Sequence, residues 1–444
     1  MEALFTDLYE LTMAQAYHAE RMGEPAVFEL AFRELPQGRN YIVAAGLEDV
    51  LRYLEGLRFS AEDIAYLRSR NEFSEDFLSC LETFRFTGDV YAMAEGTVAF
   101  PSEPLVQVIA PIMEAQIAET FILNQIHFAS VAASKAARVI TAAAGRAVVD
   151  FGSRRAHGTD AAMKVARATY LAGGAGTSNV LAGERFGIPV FGTMAHSYIQ
   201  AHDDELAAFE AFASVFPNTT LLVDTYDTIE GVRNVIELKR RLGQRFQVKA
   251  IRLDSGDMSK LSAEARKLLD EAGLRGVEIF ASSGLDEYKI QQLLREQAPI
   301  DAFGVGTKMA VAEDAPDLDM AYKLVEYSGK GRMKLSSRKV LYPGRKQVFR
   351  GVENGVMTGD VIARFDEQFT GEALLRPFMR QGRVVARVDL QESRKRCEQQ
   401  MRELPEQFRA LEQAAVPYPV HFSASLYADF ARLREQMIGP VLSR

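Results

Sequence analysis

Two cysteines, Cys80 and Cys397, are all the thiol this 444-residue chain carries, and they stand far apart in sequence. They supply neither a disulfide framework nor zinc-ligand spacing, so the expectation is two reduced structural thiols in a cytoplasmic protein. Positive charge is also short. The 52 lysines and arginines against 60 aspartates and glutamates leave a formal net charge of −8. That balance argues against a general nucleic-acid or membrane binder while allowing a local basic pocket. No apolar run is long enough to span a bilayer; the alanine-rich stretch 128–144 is interrupted by Lys135 and Arg138. No basic segment leading into an apolar one opens the chain, which again favours a cytoplasmic location over secretion.

Three motifs are missing as well. There is no Gly-x-x-x-x-Gly-Lys-Ser/Thr loop, no Gly-x-Gly-x-x-Gly after a strand, and no His-Glu-x-x-His. Any use of ATP must therefore do without a P-loop, and a zinc hydrolase or Rossmann dehydrogenase loses most of its support.

Present instead is a pattern. Six apolar runs in the middle of the chain each stop at a polar, glycine-bearing cluster. Ala147-Val148-Val149 leads into Asp150-Phe151-Gly152-Ser153-Arg154-Arg155, and Ile188-Pro189-Val190-Phe191 into Gly192-Thr193-Met194-Ala195-His196-Ser197. Leu221-Leu222-Val223 meets Asp224-Thr225, and the run 248–251 meets Arg252-Leu253-Asp254-Ser255-Gly256-Asp257. The run 277–281 then meets Ser282-Ser283-Gly284, and Ala302-Phe303 meets Gly304-Val305-Gly306-Thr307-Lys308. Helical stretches at 203–215, 228–242, 259–272 and 286–295 separate them. A parallel barrel that gathers a ligand site at the carboxyl ends of its strands has this layout.

The fold class is thus α/β: an irregular TIM-like barrel over 111–320. An α+β domain over 1–110 precedes it, with strands returning from about 321–390, and a helical tail closes the chain at 391–444. Within the first domain we expect a helix over the first twenty residues capped by Thr6, a strand at 26–32, and a helix opened by the box Ser60-Ala61-Glu62-Asp63. A β-rich stretch follows at 88–109, punctuated by Pro101 and Pro104. Helices over 112–128 and 131–144, then strands at 322–327 and 340–342, complete the forecast, with tail helices at 392–403 and 426–437.

The strand ends divide by chemistry. Ser283, Gly284, Gly304, Gly306 and Thr307 offer backbone N–H groups and hydroxyls suited to a phosphate, which barrels commonly hold at their last two strand ends. Ordinary glycine turns are the bland alternative. Asp254 and Asp257 could meet Mg²⁺ or sugar hydroxyls, or in the case of Asp257 simply cap the next helix; Asp224 and Asp227 carry the same ambiguity. Arg154 or Arg155 could pair bidentately with a carboxylate or phosphate, or lie on a solvated loop. His196 stands at a strand end, where an imidazole can act as base, metal ligand or nucleophile.

Read together, nine stretches in order resemble the nicotinate phosphoribosyltransferase family. They begin at Thr6-Asp7-Leu8-Tyr9-Glu10-Leu11-Thr12-Met13 and at Glu95-Gly96 with Pro101-Ser102-Glu103-Pro104. Then come Asp150 to Gly158, Gly176-Thr177-Ser178-Asn179, Gly192 to Ser197 and Val223-Asp224-Thr225-Tyr226. Arg252 to Asp257, Ser282-Ser283-Gly284-Leu285 and Gly304-Val305-Gly306-Thr307 complete the set.

The resemblance implies joining nicotinate to 5-phosphoribosyl-1-diphosphate, giving nicotinate mononucleotide and diphosphate in NAD salvage. ATP would be hydrolysed through a phosphohistidine at His196, and Mg²⁺ would arrive bound to substrate rather than in a protein cage. It further implies that Tyr9 flanks the pyridine ring, that Arg154 and Arg252 hold the carboxylate or phosphates, and that Ser197 hydrogen-bonds nearby. Ser283, Gly284, Gly304, Gly306 and Thr307 would cradle the ribose phosphate, with Asp254 and Asp257 as ribose or Mg²⁺ candidates. The family's site is completed across a homodimer, so Tyr9 would serve a partner copy. Related nicotinamide enzymes carry an acidic residue at the position of Ser178, and its absence favours the acid over the amide. Cys397 stands alone near the C-terminus, so no structural zinc is expected. The alternatives are a nicotinamide or quinolinate phosphoribosyltransferase, or a non-catalytic sensor of phosphoribosyl ligands.

Overall fold

The computed structural model describes residues 3–335 and 341–442. The chain divides into two compact units, Met1–Val131 with Asp317–Arg444, and Ala132–Pro316. The first limit falls inside the helix Glu119–Ala142 rather than at residue 110. That one helix replaces the two expected over 112–128 and 131–144: neither Gly nor Pro interrupts 119–142, and the short helix before it is Ile112–Ile117.

In the first unit, three distant parts of the chain interleave in one seven-stranded sheet. Pro25–Phe32 lies between Pro104–Pro111 and Met320–Tyr327, antiparallel to both. Leu375–Arg380 adds on through Asp89–Met93. Lys346–Glu353 and Val356–Arg364, which sequence periodicity did not reveal, form a separate sheet with Glu372–Ala373 and Val420–Phe422.

The expected strand at 340–342 is not found: Leu341 and Tyr342 lie outside any strand, and Val340 is outside the described residues. Segment 391–444, expected as a separate tail, belongs to this unit. On the helix Leu390–Glu403, the Gln400 carboxamide accepts from Val98 N–H at 2.8 Å, and Cys397 is fully buried. Helix caps fall largely where side-chain chemistry puts them. Ser60 and Asp63 close a capping box, whereas the first helix, Leu8–Ala19, starts from Asp7, and Thr6 bonds the Glu10 carboxylate instead.

In the second unit, a six-stranded parallel sheet runs in the order Gly176–Thr177, Ala147–Asp150, Ala302–Val305, Glu278–Ala281, Ala250–Leu253, Thr220–Leu222. The segment around Val190 continues the curl, with a parallel bridge to Thr177 on one side. On the other, the Thr193 hydroxyl donates to the carbonyl of Thr220, which begins the strand at the far end of the order. The sheet therefore curls toward closure as an irregular barrel. Two expectations shift. Gly176–Thr177 is a strand, while 188–191 contributes only a bridge. Among the described residues no helix is long and apolar enough to cross a membrane.

Candidate functional site at the strand ends

His196 opens the short helix His196–Gln200, so its backbone is fixed just past the Val190 segment. Its Nδ1 lies 3.1 Å from the Thr225 hydroxyl and its Nε2 3.8 Å from Asp254 Oδ2. Asp254 is held in turn: its other carboxylate oxygen accepts from the Ser282 hydroxyl, and its N–H donates to Asp224 Oδ2 at 2.8 Å. The same Asp224 oxygen accepts from Ser255 Oγ at 2.6 Å, while Asp224 Oδ1 is sealed from solvent with no hydrogen bond among the described residues. One strand end thus braces the next, and Asp224 is the brace. Sequence reading left it between site and cap; burial beside a second carboxylate is what separates it from Asp227, which caps the helix Thr228–Leu242.

Arg252 lies within the strand Ala250–Leu253, not at its end. Its guanidinium sits 6.0 Å from the centroid of the Phe151 ring and reaches the Met194 carbonyl at a long 3.5 Å. Its Nε is sealed from solvent with no hydrogen bond among the described residues. Burial pulls the guanidinium pKa below its ordinary value; Asp254 and Asp224 oppose that shift, and Arg154 adds to it. Arg154 itself is exposed on a single turn, Ser153–Arg155. The pair therefore consists of one partly buried and one exposed cation, close enough that each feels the other's charge. Asp150 anchors the loop between them, accepting from Gly152 N–H at 2.8 Å and from the Thr177 hydroxyl at 2.7 Å. Burial raises its pKa, and those two donors hold the rise back.

The late glycine clusters behave differently from one another. Ser283 and Gly284 are exposed at φ +92° and +55°, so a non-glycine residue is held in left-handed backbone at the end of Glu278–Ala281. Gly306 and Thr307 open the next turn, with Thr307 exposed. Gly304 departs from the expected phosphate role. It is buried within the strand Ala302–Val305, and a Cβ there would meet the Phe151 ring at 2.6 Å and the Phe280 ring at 2.8 Å. Glycine is required for packing, and the residue's backbone is committed to the sheet.

Asp257 takes the capping role, one of its two expected readings. It caps the helix Met258–Glu271 through Lys260 N–H and pairs with the Lys260 ammonium at 3.0 Å. Lys308 pairs with Asp286 at 2.8 Å, and Asp286 caps the helix Glu287–Arg295; the two late loops are linked through that contact. Ser197 is exposed beside His196. Tyr9 belongs to the first unit, on the helix Leu8–Ala19, nearly half exposed, with burial and Glu119 raising its phenol pKa. Among the described residues no three His, Cys, Asp or Glu side chains cluster to hold a metal ion.

A parallel α/β barrel whose rim joins an imidazole, a braced carboxylate pair, an under-bonded guanidinium and two exposed polar turns belongs to the class of barrel proteins that bind small anionic ligands. Comparisons with known proteins narrow the class. Residues 4–127, 146–353 and 367–429 match, respectively, the nicotinate phosphoribosyltransferase N-terminal domain, the nicotinate phosphoribosyltransferase family, and the nicotinate phosphoribosyltransferase C-terminal domain. The chain belongs to the nicotinate phosphoribosyltransferase family.

It is 61% identical over 434 residues to the nicotinate phosphoribosyltransferase pncB2 of Mycobacterium tuberculosis, covering 97% of this chain and 94% of that protein. It is 45% identical to the nicotinate phosphoribosyltransferase of Bacillus subtilis over 85% of this chain and 79% of that one. The crystal structure of human nicotinic acid phosphoribosyltransferase superposes with a TM-score of 0.87 at 29% identity, covering 96% of this chain and 99% of the other.

Proposed function

We propose that the rim joins nicotinate to 5-phosphoribosyl-1-diphosphate, releasing diphosphate and forming nicotinate mononucleotide in NAD salvage. The observation that carries this reading, beside family membership, is the Arg252 guanidinium: partly buried, over the Phe151 ring, with an unpaired Nε. A planar aromatic acid satisfies both features, its carboxylate on the arginine and its ring against the phenylalanine. The exposed turns Ser283-Gly284 and Gly306-Thr307 take the sugar phosphate. Asp254, with one oxygen on Ser282 and the other 3.8 Å from His196, would offer an oxygen to a ribose hydroxyl or to Mg²⁺ carried by the substrate. Attack by the pyridine nitrogen on the anomeric carbon expels diphosphate; Arg154 stabilises the departing charge, and Mg²⁺ carried in by the substrate would add to that.

His196 supplies the coupling to ATP. In the tautomer that donates Nδ1–H to the Thr225 hydroxyl 3.1 Å away, Nε2 keeps its lone pair and attacks the terminal phosphorus of ATP; the P–O bond to ADP breaks and a P–N bond forms. Water later cleaves that bond to release phosphate. His196→Ala removes the acid-labile phosphoenzyme and the ATP-dependent gain in affinity for phosphoribosyl diphosphate; full coupled turnover in that variant overturns the step. Serine at 178, half-buried and with its N–H on the Asp150 carbonyl at 2.8 Å, leaves room for an anionic ring substituent without a repelling charge.

A homodimer completes the site. Phe5, Leu8 and Tyr9 are each nearly half exposed near the N-terminus, an apolar surface suited to a second copy. Mixing inactive Tyr9→Ala and His196→Ala chains restores activity if Tyr9 serves the partner's rim, and restores none if each chain is self-sufficient. The overall reading is tested by diphosphate release with nicotinate, nicotinamide and quinolinate at equal concentrations. Nicotinate should win; preference for either other pyridine, or tight binding without turnover, overturns it.

A further inference from the structure

The first unit holds a cavity of about 670 Å³ whose lining carries Lys330, Arg332, Arg345, Arg364 and Arg432. Three carboxylates share it: Glu326, Asp366 and Asp429. Two of these are already engaged. Asp366 lies 3.2 Å from Arg364, and Asp429 lies 3.6 Å from Arg364 and 2.6 Å from Arg432. Lys330, Arg332 and Arg345 therefore face only Glu326 among the lining acids, a local positive excess on a chain whose net charge is −8.

Arg345 is the deciding side chain. Its guanidinium carbon lies 3.3 Å from the centroid of the Phe365 ring and 4.2 Å from that of Tyr91. Stacking of this kind satisfies the faces of a guanidinium and leaves its in-plane N–H groups needing acceptors. Nε and Nη2 are sealed from solvent and make no hydrogen bond among the described residues. Arg345 as a whole is half-buried, but two sealed, idle donors are unfavourable unless an acceptor reaches them. Arg332 packs over the Tyr327 ring at 5.8 Å, and among the described residues its side-chain hydrogen bonds are long, from Nη1 to the carbonyls of Lys330 and Gly331 at 3.4 and 3.3 Å. Phosphate oxygens match the guanidinium fork, and the ammonium of Lys330 adds a point charge. The volume exceeds what one phosphate fills and falls within the range of small-molecule sites.

We propose that this cavity is a second anion site, separate from the barrel rim, that binds a chain of two or three phosphates. Free inorganic triphosphate and a nucleoside triphosphate both present that chemistry. The test is calorimetric titration of the full chain with its rim saturated by nicotinate mononucleotide, using inorganic triphosphate and, separately, ATP. One equivalent of triphosphate per chain should bind, at least tenfold more weakly after K330E/R332E and unchanged after R240E, which removes an exposed cation outside both sites. A clear preference for ATP assigns the nucleoside a share of the recognition; equal affinities assign it to the phosphate chain alone. Lys330 is exposed and Arg332 half-buried, so their replacement tests the site even if variants of the stacked Arg345 do not fold. Absence of binding with the rim occupied, or binding indifferent to K330E/R332E, overturns the proposal.

Discussion

Arg350 in the first unit is buried and Arg252 in the second partly so, and they could hardly be treated more differently by their neighbours. Arg350 is 1% exposed and fully engaged. It makes bonds of 2.5 to 3.2 Å with Asp360, 2.8 Å with the Val98 carbonyl and 3.0 Å with Gln400, while Tyr418 donates to the same aspartate at 3.1 Å. Arg252 has one long contact and an idle Nε. A buried charge with every donor matched holds a fold in one arrangement. One left short of partners costs stability that only a ligand can return. The contrast sets an arginine whose bonds are met within the fold against one that the proposed function assigns to a ligand.

The sharpest way to break that contrast is to remove each arginine. Arg350→Ala strands Asp360, fully buried, and Glu103, whose carboxyl pKa is already pushed up by burial and by Asp360. Truncating one partner of a buried pair costs about 3–5 kcal/mol. Urea unfolding should show that loss while the folded fraction keeps its turnover. Arg252→Ala should do the reverse: kcat/KM for nicotinate falls on the order of 100-fold, about 2.7 kcal/mol, with denaturation unchanged or slightly later. An equal stability loss in both variants would falsify the distinction.

Asp224→Asn asks whether the brace matters. Weakening the acceptor for Asp254 N–H and Ser255 Oγ should raise KM for phosphoribosyl diphosphate about tenfold, more than it lowers kcat. Glu10 sharpens the comparison from the side of a strained acid. Burial lifts its pKa from 4.5 to about 7, against the hydroxyl donors Thr120 and Thr6. A carboxyl raised in the folded state favours folding below pH 4.5, and that contribution is lost as pH climbs to about 7. Glu10→Gln should therefore raise the melting temperature at pH 8 by a few degrees and leave it unchanged at pH 4. The smallest effect belongs to Asp257→Ala, where losing an exposed cap lowers the melting temperature slightly and leaves both KM values alone.

Much of this was legible beforehand because its causes are local. Thr228–Leu242 begins at a side-chain cap and ends at Gly243, and the Ser60 box closes as its spacing requires. The strand Lys346–Glu353 was not legible, since Lys346, Gln347 and Arg350 put polar atoms into the core where alternation reads surface. Their partners, Glu29, Leu375 and Asp360, come from up to 317 residues away. Gly304 misled for the same reason: a glycine beside a strand end resembles a phosphate turn until Phe151 and Phe280 are seen occupying its side-chain space.

The alternation of strand, polar end and helix through most of the barrel, the limits of helices such as Thr228–Leu242, and the placing of His196, Arg252 and Asp254 at or near strand ends lay in the sequence itself. Turn chemistry, capping and hydrophobic runs act over a few residues. Which carboxylate braces, which glycine merely packs, and which arginine is left with an open hand were decided only by tertiary structure. Burial and hydrogen-bond satisfaction depend on what the rest of the chain brings alongside.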